Sequence, residues 1–278
     1  MIIVTGATGN VGKEVVKKLL KSGEKFSALT RDVKAAQEKI SSSVDWIFAD
    51  FDDQLSLRSA LEGVDKLVLI TPAGESMEKN QLDIVRISND LGVKKIVKLS
   101  GLGAGPNALI RLPKAHFKIE EEIINLGIDY AFVRPNLFMQ VFTDAVQADG
   151  NIYAPAEGAK ISLTDTNDIA EIIVSAVLDK TDEKVIEITG PEAVTYEEVA
   201  RKISETKGKP VKFVSVAPAQ AKESMLGMGM SEWLVDAFLE LFDIYRSGHG
   251  AAILDIPVKN ILGRDATTLQ SYVTETFC

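Results

Sequence analysis

The sequence predicts an α/β fold, a doubly wound parallel sheet with a smaller C-terminal α/β lobe, and three observations carry that prediction. Short runs of branched apolar residues alternate with helical patterns from the start. Glycine or a polar turn residue closes most of these runs. The alternation loosens after Pro135, where a different arrangement begins.

The elements follow in order. "MIIVT" is a short buried strand that runs straight into Gly6. From Lys13 onward Val15, Val16, Leu19 and Leu20 recur at three- and four-residue steps, which predicts a helix over 12–22. "KFSALT", "DWIFAD", "KLVLIT", "KKIVKLS" and "DYAFVRP" are the next strands. Helical patterns fill 33–40, 54–62, 76–91 and 113–126 between them. Gly63, Gly92 and Gly127 fall just past three of these helices, where C-termini favour glycine. Such alternation builds a mostly parallel sheet covered on both faces.

Beyond Pro135, "GNIYAPAEG" reads as loop or hairpin. "LTDTNDIAEIIVSAVL" is a capped helix with Asp165, Thr166 or Asn167 at its start. "KVIEITG" and "VKFVSV" are strands, and "TYEEVARKISETKG" is a helix whose Thr195 and Glu198 form a capping box. Residues 221–247 read as one helix rich in apolar residues, and "TTLQSYVTETF" closes the chain as another. In the long helix Leu226, Met230, Trp233, Leu234, Ala237, Phe238 and Leu241 make one stripe, which reads first as lobe core. The sharper reading makes Met225, Met228 and Met230 an adaptable lid over a flat substrate.

Composition excludes several functions. A net charge of −9 argues against a general nucleic-acid or anionic-membrane surface. No apolar run approaches the roughly 18 residues of a membrane helix. The first strand begins at residue 2, which leaves no room for a signal peptide, and the only cysteine, Cys278, cannot form an intramolecular disulfide. A cytoplasmic location is expected. The two histidines, His116 and His249, sit in no ligand motif, so no metal is expected. Neither a G-x-S-x-G elbow nor a P-loop is present.

The glycines of "TGATGNVG" point to a ligand. Gly6 allows a tight turn out of the strand, Gly9 lets backbone approach a phosphate, and Gly12 lets the helix pack closely. A side chain at Gly9 would fill the pyrophosphate's space and resist any positive φ there. Thr8, Asn10 and Val11 complete the loop, and the helix N-terminus offers free N–H groups to an anion. This is the dinucleotide-binding arrangement of a Rossmann-type sheet, expected over 1–190, with a smaller substrate-covering lobe over 191–278 that can be discontinuous. Arg31 ends the second strand, where an arginine accepts a 2′-phosphate, so NADPH is expected ahead of NADH. Asp32 would repel that phosphate if it pointed inward. Asp50, after the third strand, is placed to bond the adenine amine or to cap a turn. Ligands of open α/β sheets sit at the C-terminal strand ends. That brings in Thr71, Pro72, Ser100 and Pro135 beside the cofactor, with Asn136 and Phe138 toward the substrate.

"TGATGNVG", "LTRD" and "ADFDD", together with "HFKIEEEI", "FVRPNLFMQ", "SLTDTNDIA", "ITGPEAVTYEEVA" and "TLQSYV", resemble the NmrA-like atypical short-chain dehydrogenases over nearly the whole chain. The nearest likeness is to bacterial type 2 NADPH:quinone oxidoreductases and triphenylmethane-dye reductases. The resemblance implies a Rossmann domain with a small lobe over the nicotinamide. By the family's spacing from Arg134–Pro135, His116 stands where ordinary short-chain dehydrogenases keep a lysine, and Leu112 stands where they keep the proton-donating tyrosine. His116 and Glu120 match the H-x-x-x-E of quinone-reductase-like relatives, and Ser100 matches the family's serine. His116 and Ser100 are therefore the catalytic candidates, with His116 also near the nicotinamide ribose. Otherwise His116 is a half-buried helix histidine bonded to Glu120 one turn on.

The missing tyrosine limits the chemistry. Hydride addition to a simple ketone leaves an alkoxide, which needs a positioned acid. Hydride addition to a quinone leaves a phenolate-like anion, whose conjugate acid lies near tyrosine's pKa of about 10. A cationic dye needs no proton. An NADPH-dependent reductase of quinones or similar electron-poor acceptors is expected, as a monomer or homodimer. The alternative is a dinucleotide-binding, redox-sensing regulator without turnover. A sugar-nucleotide epimerase would need the tyrosine that Leu112 replaces.

Overall fold

The computed structural model describes residues 1–278. Its main sheet is built from β1 (Ile2–Val4), β2 (Phe26–Thr30), β3 (Asp45–Phe48), β4 (Lys66–Leu69), β5 (Lys95–Leu99), β6 (Asp129–Pro135) and a later strand, β8 (Val185–Ile188). Helices α1 (Asn10–Ser22), α2 (Val33–Lys39), α3 (Gln54–Leu61), α4 (Met77–Asp90) and α5 (Arg111–Asn125) alternate with the first six strands. The strand order is β3-β2-β1-β4-β5-β6-β8, and β1 pairs in parallel with both β2 and β4. The order reverses between β1 and β4, the switch point at which such sheets bind ligands.

Two compact units make up the chain: Met1–Arg134 with Ile169–Ile186, and Pro135–Asp168 with Glu187–Cys278. In the first unit the central strands β1 and β4 are apolar and buried along nearly their whole length, as a sheet under two helix layers requires, whereas the edge strand β3 exposes Asp45 and Phe48. Ile3, Leu67, Leu69, Ile96 and Phe132 pack with Leu57, Leu61, Ile84, Ile119 and Ile123 of α3, α4 and α5. Asp32 caps α2 by accepting from Ala35 N at 2.9 Å, and Asp53 caps α3 in the same way. The sequence thus yields the expected mostly parallel, helix-flanked α/β sheet.

The second unit contains β7 (Asn151–Ala154), α7 (Tyr196–Lys207), β9 (Lys212–Ser215), α8 (Pro218–Gly227), α9 (Glu232–Arg246), α10 (Ile256–Leu262) and α11 (Leu269–Phe277). Helix α6 (Thr166–Val177) begins in it and ends in the first unit. Thr195 and Glu198 form the expected capping box of α7. Met139 and Phe142, in a 3₁₀ turn, pack with Ile152, Tyr196, Ile203, Leu269 and Val273.

Two expectations change here. "GNIYAPAEG" holds a strand whose partner is remote: β7 pairs in parallel with β9, Asn151 opposite Lys212. A local hairpin cannot form a parallel pair. The single helix expected over 221–247 is two, α8 and α9. Gly229 takes φ 84° between them and Ser231 starts a new helix by accepting from Leu234 N. Of the stripe only Ala237 is buried; Leu226 is exposed and Met230, Trp233, Leu234, Phe238 and Leu241 are half-buried, while Val235 and Tyr245 supply the other buried positions of α9. Met225, Met228 and Met230 instead line a cavity of about 590 Å³ with Phe142, Tyr196 and Phe242. No helix is long and apolar enough to cross a membrane.

Candidate active site

The loop between β1 and α1 is shaped by backbone packing. Gly6 has φ +59°, and a Cβ there would stand 2.6 Å from Ile70 O. Thr5 braces the same carbonyl, its Oγ1 donating to Ile70 O at 2.7 Å and accepting from Ile70 N at 2.8 Å. A Cβ at Gly12 would stand 2.1 Å from Gly6 O and 2.8 Å from Ala7 Cα. Helix α1 therefore packs on the loop's own backbone. Gly9 is extended, φ −79° and ψ 177°, so the loop's positive φ falls on Gly6 and not on Gly9. A Cβ at Gly9 would meet only Gly6 O, at 3.4 Å.

Gly9 is also the N-cap of α1, and no side chain caps it. The first intrahelical bond runs from Lys13 N to Gly9 O at 2.9 Å. The amides of Asn10, Val11 and Gly12 thus have no intrahelical acceptor and carry the helix's partial positive charge. Thr8 and Asn10 are exposed and Val11 is buried beneath them. The space beside Gly9, the close packing at Gly6 and Gly12, and the uncapped 13-residue helix together fit a pyrophosphate.

Around this loop, Arg31 is exposed at the end of β2, and Asp32 beside it is committed to capping α2. Thr30 Oγ1 accepts from Asp32 N at 3.1 Å, which holds that turn. Asp50 Oδ1 accepts from Asp52 N at 3.1 Å in the turn after β3. Thr71 Oγ1 accepts from Gln81 Nε2 of α4 at 2.6 Å, and Pro72 beside it is exposed.

A second group lies behind β5. Ser100 is buried and its Oγ donates to Glu120 Oε1 at 2.5 Å. Arg134 Nε donates to the same oxygen at 3.0 Å, and its Nη2 pairs with Glu120 Oε2. Glu120, on α5 and 1% exposed, is thus matched by a bidentate arginine and a hydroxyl. His116 does not bond Glu120. Its Nδ1 lies 2.7 Å from Lys98 Nζ, and Lys98 also donates to Leu99 O at 3.1 Å. The reason is geometric: Glu120 is already taken by Arg134 and Ser100, so the ring turns to the strand. Burial, then the positive charges of Lys98 and Arg134, hold His116 well below the usual histidine range. Burial also brings Lys98 down to about 7, opposed by Glu120 and reinforced by Arg134. Leu112, one turn before His116, is half-buried and carries no proton.

Sequence reasoning passes over Lys98, although a signal was there. A lysine inside an apolar strand of a parallel sheet has no solvated face to point to.

In the second unit, Pro135 and Asn136 are buried. Asn136 Nδ2 donates to Gly250 O at 3.1 Å and its Oδ1 accepts from Tyr245 OH at 3.0 Å, so its amide is used within that unit. Phe138 precedes the 3₁₀ turn and forms a β-bridge with Thr164.

The NmrA-like family matches this sequence over residues 1–274. The NAD(P)H azoreductase of Xenophilus azovorans is 33% identical over 276 residues, covering 98% of this chain and 96% of that one. The crystal structure of the NADPH-dependent quinone oxidoreductase of Escherichia coli complexed with NADPH superposes with a TM-score of 0.86 at 25% identity, covering 100% of both chains. The Citrobacter sp. triphenylmethane reductase complexed with NADP(H) gives 0.83 at 25% identity, covering 99% of each.

Proposed function

This chain belongs to the NmrA-like family, and from that premise we propose an NADPH-dependent reductase that passes hydride to a quinone or similar electron-poor acceptor without a tyrosine acid. The chain is an NAD(P)H-dependent oxidoreductase, as its likeness to the azoreductase and to the two cofactor-bound reductases supports. The observation that carries the reading is the β1–α1 cradle at the switch point, where Gly6 and Gly12 leave no room for a Cβ and the end of α1 is uncapped.

Bound there, the cofactor supplies the hydride. The amides of Asn10, Val11 and Gly12 hold the pyrophosphate, with Thr8 at the loop's exposed rim. Arg31 takes the 2′-phosphate, and the Asp32 carboxylate is drawn toward the N-terminus of α2, which it caps. By their places at the C-terminal strand ends, Asp50 would serve the adenine end and Thr71, Pro72 and Ser100 the nicotinamide end, and Pro135, which ends β6, is assigned to the cofactor on the same ground. His116 orients the ribose or the acceptor. Asn136 and Phe138 serve the substrate side, Asn136 by its place in the chain, since its amide is engaged by Tyr245 and Gly250. The second unit by itself holds a methionine- and aromatic-lined cavity, a lining of the kind that takes flat apolar molecules. Because Leu112 offers no proton, the acceptor must form a stabilised anion or carry positive charge beforehand.

The test is calorimetric titration with NADPH and NADH, followed by NADPH oxidation against quinones, cationic dyes, azo compounds and enones. Preferential NADPH binding with turnover of electron-poor acceptors supports the proposal. Tight binding with no turnover of any acceptor favours the redox-sensing regulator.

A further inference from the structure

Lys98 lies on β5 with no accessible surface, and its two polar contacts are Leu99 O at 3.1 Å and His116 Nδ1 at 2.7 Å. An ammonium has donors only. Facing Nδ1, it makes that nitrogen the acceptor, so the single proton of the neutral ring sits on Nε2. The Nε2 edge lies beneath the backbone of Gly101, where a Cβ would stand 3.1 Å from Cδ2 and 3.5 Å from Nε2. As glycine, residue 101 itself puts no side chain over that edge.

We propose that Lys98 is a positioning residue: through Nδ1 it fixes His116 as a neutral Nε2–H donor to a hydroxyl or carbonyl oxygen of the bound cofactor or acceptor. The inference rests on the reductase reading for its ligand, but not for the state of the ring. Lys98 from β5 contacts that ring and Arg134 from β6 acts on it through its charge, while Glu120, one turn on along α5, is bonded to Arg134. Glu120 is matched by Arg134 and so does not draw a second proton onto the imidazole. Lys98 and Arg134 disfavour the imidazolium. His116 is then a hydrogen-bond donor and not a charged acid, as expected where hydride passes directly to an electrophile. The lock holds while Lys98 is an ammonium. Above about pH 7 its neutral amine can accept from Nδ1–H, and the lock loosens.

Histidine ¹H–¹⁵N correlation spectra of the full chain, without ligand, test this. With two histidines in the sequence, His249→Gln assigns the signals. Near pH 6, roughly where a free histidine is half charged, His116 is expected as the neutral Nε2–H tautomer. Lys98→Met, close in size and apolar, should give both tautomers. A wild-type ring that is Nδ1–H or imidazolium overturns the proposal, and so does a Lys98→Met ring unchanged from wild type. The wild-type spectrum decides alone if the variant misfolds. Two further measurements locate the oxygen. NADPH affinity falling by about twofold to tenfold in Lys98→Met, the worth of one hydrogen bond, marks the ribose. A similar fall in kcat for a quinone at unchanged NADPH affinity marks the acceptor. No change in either, in an enzyme that turns over, removes the positioning role. The spectra are read without turnover, so they stand apart from failure of the reductase reading.

Discussion

The loop after β1 and the polar cluster behind β5 belong to the same unit and are built by opposite means. The loop is backbone: its function is set by where a Cβ cannot be, at Gly6 and Gly12, and by helix amides that nothing caps. The cluster is side chains: Lys98, Ser100, His116, Glu120 and Arg134 come from β5, the turn after it, α5 and β6. A backbone site tolerates changes that leave both the chain path and the ligand's space alone. A side-chain site depends on every partner being matched, because each polar group in it is withdrawn from water.

The largest effect should come from breaking the cluster. Glu120→Ala leaves Arg134 buried without its carboxylate and Ser100 without its acceptor, which should cost about 3–5 kcal/mol of stability. Urea denaturation checks this, and a change below about 1 kcal/mol would show a cluster no stronger than a surface pair.

Lys98→Met should act in the opposite direction. Lys98 is a buried charge with no carboxylate bonded to it, and an apolar residue of similar size removes its desolvation cost, partly offset by the donor that His116 Nδ1 loses. The pH dependence follows from the lowered pKa. Between about 7 and the unfolded value of 10.5, the unfolded chain binds the proton that the folded chain has lost, so wild-type stability rises with pH across that window. The advantage of Lys98→Met is therefore full below about pH 7 and shrinks toward pH 10.5. Thermal unfolding of both proteins at several pH values reads it directly.

In the loop, two glycines should separate stability from binding. Gly12→Ala forces a Cβ onto Gly6 O and should destabilise by about 1–3 kcal/mol, as overpacking does. Gly9→Val meets only an ordinary contact and no positive φ. It should fold normally yet lose NADPH, because its side chain fills the pyrophosphate's place. Circular dichroism with calorimetry distinguishes the two, and unchanged affinity in Gly9→Val removes Gly9 from the site. Arg31→Ala should narrow the gap between NADPH and NADH by about 1–3 kcal/mol, the scale of a hydrogen bond to a charged group. It should leave NADH binding nearly as it was.

The same contrast explains what the sequence made legible. The loop could be read because glycine spacing between a strand and a helix specifies a backbone path. The alternating strands and helices up to Pro135 were legible for the same local reason. In the cluster, His116 and Glu120 stood one turn apart and suggested a mutual bond. Their true partners, Lys98 and Arg134, come from strands on either side of the helix, and no local spacing announces them. β7 was hidden likewise, since its partner β9 lies some sixty residues away and the pairing is parallel. The break between α8 and α9 was visible in "GMGMS" and lost under a continuous apolar stripe.

The central claim is a reductase that needs no protein acid, and His116→Ala tests it most directly when its rates on a quinone and on a cationic dye are compared. A small loss, similar on both, is expected, because the ring positions a ligand and hydride passes straight to an electrophile. A loss of roughly 10²–10⁴-fold on the quinone alone, the scale of general acid catalysis, would contradict it.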